Sequence, residues 1–224
     1  LFRGKGRQLW SNGVRLKTAA ELSGILTTVL FCPEDLYLIR EGAAARRKFL
    51  DTAICQLRPR YAAALGEYNR LYEHKTRILR DWQENPSLLQ TLDDFNLRMA
   101  QTGAILIHYR AHFVKRLQEN APAIHGDFSG AKERLELDYT TVSTVDDPLK
   151  TPRELLPRLL EHQERHRQAE LDSRQCLSGP HKDDLLVNIN GAPAKTFASQ
   201  GQTRTAALSL KLAQREIMEE ETGE

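Results

Sequence analysis

Cysteine is scarce in this chain: the only three, Cys32, Cys55 and Cys176, are far apart, odd in number and without metal-ligand spacing. That excludes a disulfide scaffold and a zinc site, and predicts reduced thiols in a cytosol-like compartment. No apolar run approaches the length needed to cross a bilayer. The N-terminal residues also lack a basic segment followed by an apolar core, so a soluble, cytoplasmic protein without membrane contact is expected. Neither sign of charge dominates, since 32 basic and 30 acidic groups leave a formal +2. Any basic surface must therefore come from local clustering. Sustained heptads, internal repeats and low-complexity tracts are absent. So is the phosphate-binding pattern G-x-x-x-x-G-K-[ST]: Gly4-Lys5-Gly6 has neither the spacing nor the following Ser or Thr.

What is present is a globular composition, 40% hydrophobic and 28% charged over 224 residues, enough for one large or two small domains. Asn12-Gly13 between Gln8-Leu9-Trp10 and Val14-Arg15-Leu16 predicts a β-hairpin. The β-branched run Ile25 to Phe31, closed by Cys32-Pro33, predicts a buried strand. From Ala43 to about Trp82 the pattern is helical with a break at Pro59, and Leu65, Tyr68, Leu71, Tyr72 and Leu79 form an apolar stripe. A second helical stretch from about Leu88 to Leu117 ends before Asn120-Ala121-Pro122. The polar turn Glu84-Asn85-Pro86-Ser87 makes the two an antiparallel helical arm.

Strand character returns at Arg134 to Val142. Pro152 opens a helix from about Arg153 to Cys176, with Pro157 tolerable only in its first turn. A strand at Leu185 to Ile189 then turns at Asn190-Gly191 into a partner at Ala194 to Phe197. The expected class is α/β (α+β), with mixed or antiparallel strands interrupted by the arm. Residues 1–42 and 131–224 form one unit and 43–130 the insertion. The chain opens on Leu1-Phe2-Arg3 and stops at Glu219 to Glu224 just after a helix, which reads as an internal piece of something larger.

The stretch from Phe197 to Ala213 carries the most chemistry. Ser199 and Gln202 have the S-x-x-Q spacing of a capping box, and Ala206, Leu210, Ala213 and Ile217 recur at helical spacing. A polar, glycine-containing turn before a helix leaves backbone N–H groups at the positive end of the macrodipole, which suits an anion. The same grammar also fits a cap that binds nothing.

Elsewhere, Glu34 and Asp35 read as a cap on the turn after the strand. Arg46, Arg47 and Lys48 form the densest basic cluster, suited to DNA phosphates or equally to a solvated helix face. His181 stands without a partner that would make it a catalytic base. Two i, i+4 pairs occur among His74, His108, His112, His125, His162 and His166. No acidic third ligand sits at zinc spacing, so a metal site is rejected.

Four ordered segments together resemble the RecF family, the DNA replication and repair proteins of the SMC-like ABC ATPase group. They are Phe31-Cys32-Pro33-Glu34-Asp35-Leu36, Arg46-Arg47-Lys48-Phe49-Leu50-Asp51, Ser178-Gly179-Pro180-His181-Lys182-Asp183-Asp184-Leu185, and Phe197-Ala198-Ser199-Gln200-Gly201-Gln202-Thr203-Arg204. The resemblance covers nearly the whole chain and implies the middle of such a protein: part of an ABC-ATPase head, with the P-loop upstream and the magnesium-binding carboxylate strand downstream. It implies that Ser199, Gln200, Gly201 and Gln202 are the signature motif, contacting in trans the γ-phosphate of ATP held by the opposite subunit. Ser199 would donate its hydroxyl and Gly201 its N–H, while Gln202 orients the turn.

The resemblance also implies nucleotide coupling through Glu34 and Asp35, with His181, Lys182 and Asp183 in a loop that is structural or lies at an interface. Thr203 before Arg204 departs from relatives with Gln-Gln-Arg. Lys182 stands where relatives more often carry Arg, which keeps the cation and loses bidentate recognition. Arg204 reaches a phosphate or pairs with an acidic helix neighbour.

The implied function is ATP-dependent, DNA-binding and dimeric: Mg²⁺-ATP as interface glue, double-stranded DNA and gapped junctions as substrate, RecO and RecR as partners, and slow hydrolysis that this segment alone does not perform. Another SMC-like or overcoming-lysogenisation-type ATPase, or a helical scaffold without nucleotide, are the alternative readings.

Overall fold

The structure, a computed structural model, describes residues 8–16 and 27–223. Two strands, β1 (Leu9–Ser11) and β2 (Val14–Leu16), form the expected hairpin, with Leu9 opposite Leu16 and positive φ at Asn12 and Gly13. Those two residue types tolerate the left-handed region that a tight hairpin turn needs. Of the strand expected at Ile25 to Phe31, residues 25 and 26 lie outside the described residues. Residues 27–31 run without regular structure, and Leu30 is 72% exposed. The Thr28 N–H donates to Gln56 Oε1 at 2.7 Å, but among the described residues no strand pairs with this segment, so its β-branched side chains have no ladder to join.

A 3-10 turn (Pro33–Leu36) leads through the short α1 (Tyr37–Arg40) into α2 (Ala43–Leu57) and α3 (Pro59–Asp81), with Pro59 at the first position of α3 as the sequence required. A second 3-10 turn (Pro86–Thr91) precedes α4 (Leu92–Ser129), a helix of 38 residues and so roughly 57 Å long at 1.5 Å per residue. This corrects the expected end at Leu117. Pro122 lies inside α4, removing one helix hydrogen bond at a cost of about 3 kcal/mol. The helix continues because Leu117, Ala121 and His125 are all fully buried at helical spacing, and stopping at Pro122 would expose that face.

α4 is the spine. It lies against α3, α5 (Pro152–Ser173), α7 (Gln200–Thr222) and strand β3 (Leu135–Thr140). Its hairpin with α3 therefore shares one hydrophobic core with the later helices. In α7 the buried stripe runs Ala206, Leu210, Ala213, Ile217, and the small alanines let it approach α4 closely. α5 ends at Ser173, three residues earlier than expected, and Pro157 falls beyond its first turn. Both Pro157 and Arg153, whose carbonyl loses its partner, are exposed, so the missing bond falls at the solvent-facing side of the helix.

The second sheet has the order β3-β4-β5 and is antiparallel throughout, with β4 at Asp184–Ile189 and β5 at Ala192–Pro193. Leu135, Leu137 and Tyr139 sit opposite Ile189, Val187 and Leu185, and all six face the core, while Glu136 and Asp138 point away. The Asn190-Gly191 turn is as expected, with positive φ at both residues. Its partner strand is Ala192–Pro193, however, and residues 194–197 form a helical turn, α6 (Ala194–Phe197). Pro193 donates no hydrogen bond, so the ladder stops there. The chain then enters α7 directly.

Candidate functional site

The start of α7 is a complete capping box. Ser199 sits in extended conformation, its Oγ accepts the N–H of Gln202 at 3.2 Å, and Gln202 Oε1 accepts the N–H of Ser199 at 2.9 Å. Thr203, fully buried, adds a hydroxyl bond to the Ser199 carbonyl at 2.8 Å. With its lone pair engaged by Gln202, the Ser199 hydroxyl keeps its proton free to donate outward. The N–H groups of Gln200 and Gly201 have no acceptor among the described residues, and Ser199, Gln200 and Gly201 are all exposed. A Cβ added to Gly201 would meet nothing nearer than Ser199 Oγ at 3.9 Å, so approach from outside is open. Three donors thus face solvent at the positive end of a 23-residue helix, a donor set suited to a phosphate group. Arg204, one turn on, is exposed and forms no ion pair among the described residues; the acidic helix neighbour it could have met is not engaged.

The Pro-Glu-Asp-Leu turn packs on the same helix. Asp35 Oδ2 caps the turn by accepting the N–H of Cys32 at 2.8 Å, and its other oxygen lies 3.2 Å from Lys211 Nζ on α7. Lys211 in turn stands 5.8 Å above the ring of Phe49 on α2. Asp35 is thus both a cap and a tie between this turn and α7. Glu34 is exposed.

The other two motifs meet each other, away from solvent. Arg46 is 6% exposed and forks onto Asp184, Nε to Oδ1 at 2.7 Å and Nη2 to Oδ2 at 2.9 Å, while Nη1 donates to the carbonyl of Glu41 at 2.8 Å. Arg47 donates to the carbonyl of Asp183 at 2.7 Å. Two members of the Arg46-Arg47-Lys48 cluster, read from the sequence as suited to DNA phosphates or to a solvated helix face, are thus engaged inside the protein. Arg46 is an internal bolt and Arg47 is tied to the adjoining loop, because the Asp184 carboxylate at the start of β4 and the Asp183 carbonyl just before it lie within reach of this helix face. Of the three, Lys48 alone is exposed.

At the centre lies a residue that sequence reading missed. Arg110 of α4, 3% exposed, grips Asp51 through Nε and Nη2 at 2.9 and 3.1 Å, and donates through Nη1 to Asp183 Oδ2 at 2.9 Å and to the Pro180 carbonyl at 2.7 Å. Tyr139 donates to the same Asp183 oxygen, and Tyr61 to Asp51. Burial pushes the Asp183 carboxyl up, and Arg110 opposes that shift. One signal was available: Arg110 falls on the apolar stripe of α4, in register with Gly103 and Ile107. A charge on a buried stripe requires a partner.

His181 is held in the same region. Its Nε2–H donates to the Cys176 carbonyl at 2.9 Å, so Nδ1 accepts the Tyr68 hydroxyl at 2.8 Å. Burial brings its pKa down to about 4, which keeps the imidazole neutral at pH 7. Gly179 has φ +133°, and a Cβ there would stand 2.4 Å from Tyr68 Oη, so only glycine fits. Lys182 is exposed. Beside this loop a buried ion pair, Lys75 with Glu170 at 2.6 Å, receives the N–H groups of Leu177 and Ser178 on Glu170 Oε1. Asp183 and His181 are thus structural members of a packed loop, and the structure does not bring them to the α7 start.

No family model matches the chain. The architecture is nonetheless that of a known class: an ABC-ATPase-like α/β fold, here dominated by helices with small antiparallel sheets. Two solved structures of the recombination mediator protein RecF, described as RecF-ATPrS and RecF-ATP, superpose with TM-scores of 0.88 and 0.87 at 32% and 33% identity. Each match covers 95% of this chain, and 57% and 56% of theirs. The chain is 37% identical over 221 residues to the DNA replication and repair protein RecF of Acetivibrio thermocellus, covering 99% of this chain and 60% of that protein. Against RecF of Clostridium kluyveri it is 35% identical over 213 residues, covering 95% and 57%. Over nearly all of its own length the chain is a homologue of RecF. It spans about 60% of the length of these relatives.

Proposed function

We propose that this chain is the signature-bearing part of a RecF-like, ATP-dependent DNA-binding protein of recombinational gap repair and replication-fork maintenance, cytoplasmic and working with RecO and RecR. In this reading residues 1–42 and 131–224 belong to the ATPase head and 43–130 to an inserted helical arm. Ser199, Gln200, Gly201 and Gln202 complete, from one subunit, a nucleotide site whose other half belongs to a second subunit. Bound ATP would supply the γ-phosphate charge that joins the two surfaces. The Ser199 hydroxyl and the N–H groups of Gln200 and Gly201 would receive it, and Gln202 would hold the turn. Mg²⁺ belongs with the nucleotide, and no residue here is assigned to it. Asp35 and Lys211 would pass the occupancy of the helix start to α2 and the arm. No helix among the described residues is long and apolar enough to cross a membrane.

The observation that carries this reading is the open capping box: three outward donors at the start of a 23-residue helix. The test uses the complete protein. Ser199→Arg, which fills the approach with a bulky side chain, is expected to abolish ATP-dependent dimerisation in sedimentation, and an unchanged dimer would refute the trans contact.

A further inference from the structure

The side chain of Gln202 is held at both ends. Its Oε1 closes the capping box, and its Nε2 donates to Glu133 Oε1 at 3.0 Å, across to the loop that precedes β3. The second oxygen of Glu133 accepts from Nε2 of His125 at 3.1 Å. His125, fully buried in the last turns of α4, places its Nδ1 3.3 Å from Ser209 Oγ, two turns further along α7. The single Ser209 hydroxyl proton has a second acceptor within reach, the Thr205 carbonyl at 2.8 Å. The result is a closed ring, Gln202 to Glu133 to His125 to Ser209, that leaves α7 at its first turn and returns to it. Glu133 is an acceptor at both oxygens, so it dictates which end of the Gln202 amide faces it and which nitrogen of His125 carries the proton there.

We propose that Glu133 and His125 are positioning residues for the α7 start: they lock the Gln202 rotamer, and through it the direction in which Ser199 presents its hydroxyl and the first turn its N–H groups. The inference rests on the trans-phosphate reading above. Neither residue touches the phosphate. A capping glutamine free at its amide nitrogen would exchange between the box and solvent, and each exchange would let Ser199 turn away. With the nitrogen held by a carboxylate that is itself held by a buried imidazole, the donors are set before any anion arrives, which removes the ordering cost from binding. The continuation of α4 through Pro122 acquires a purpose here, since it is the final two turns of that helix that bring His125 to the ring.

The experiment measures ATP-dependent dimerisation of the complete protein by sedimentation at saturating ATP, together with thermal midpoints. Glu133→Ala is expected to raise the dimer dissociation constant about tenfold, the scale of one charge-assisted hydrogen bond, with nucleotide affinity of the monomer unchanged. Glu133→Gln, which can still accept from Gln202 while its amide meets the other tautomer of His125, is expected to stay within about threefold of wild type. Wild-type dimerisation of Glu133→Ala would overturn the proposal. If Glu133→Ala proves unstable, an exchange of chemistry decides. Gln202→Glu alone sets two carboxylates against each other and weakens the dimer, and Gln202→Glu combined with Glu133→Gln restores the bond with donor and acceptor reversed. Failure of that pair to recover would equally overturn it. Ser199→Arg serves as the control. If it too leaves the dimer intact, the trans reading itself has failed; if it abolishes the dimer while Glu133→Ala does not, only the positioning role is lost.

Discussion

Two polar regions of this protein use the same residue chemistry to opposite ends. At the α7 start, the Ser199 hydroxyl and the N–H groups of Gln200 and Gly201 are left for solvent, and the side-chain bonds among the described residues there hold the turn in shape. Where α2, α4 and the Gly179–Asp184 loop meet, Arg46, Asp51, Arg110, Asp183 and Asp184 spend almost every donor and acceptor on one another. The first arrangement is incomplete by itself and is suited to a ligand. The second is largely closed on itself, with Asp183 Oδ1 left as a buried oxygen without a hydrogen bond, and its product is rigidity. Motif residues therefore divide by what is left over once internal partners have been served, and polarity or motif membership alone does not make the division.

The sharpest way to break this contrast is at Arg110. Arg110→Ala strips partners from Asp51, Asp183 and the Pro180 carbonyl and leaves buried charge unpaired. Urea denaturation is expected to show a loss of about 3–5 kcal/mol. A loss below about 1 kcal/mol would mean the lattice is not what fastens the hairpin to the loop. Arg46→Lys comes next. It keeps the charge and loses the fork on Asp184, so it should cost about 1–2 kcal/mol, whereas Lys48→Ala should stay within about 0.5 kcal/mol because that side chain is solvated. Equal stability of the two would restore Arg46 as a surface cation. Ser199→Ala should cost about 1 kcal/mol of folding stability for a lost cap. On ATP-dependent dimerisation it should nevertheless exceed Arg46→Lys. The reverse order of the two variants in that assay would remove the distinction between an open site and a closed lattice.

Much of the framework was legible in the sequence. Asn12-Gly13 and Asn190-Gly191 announce their turns because few residues accept positive φ, Pro59 separates two helices because it fits only at a helix start, and Ser199 with Gln202 announces α7. The misreadings share a cause. Pro122 looked like a stop, yet burial of Leu117, Ala121 and His125 outweighed one missing hydrogen bond, and local propensity carries no information about that burial. The segment at 27–31 looked like a strand, and a strand exists only where a neighbour offers a ladder. Residues 194–197 follow a turn as a strand would, but Pro193 ends the pairing first.

The candidate site divided in the same way. The α7 start could be located from the chain alone, since a capping box is a contact between residues three apart. Glu133 and His125 could not. They are 69 and 77 positions from Gln202, and nothing in the Ala131 to Arg134 loop distinguishes one exposed-looking glutamate from another.

By itself, then, the sequence determined where helices and turns begin, that a helix start rich in backbone donors follows Phe197, and that four motif segments share an order found in RecF. The first two are matters of short-range sterics, capping and periodicity, and the third is a resemblance carried by the residues of those segments. Only the tertiary structure decided which of the charged motif residues are spoken for. The partners of Arg46, Asp51, Asp183 and Gln202 come from distant parts of the chain, and packing alone settles whether a polar group meets a partner or meets water.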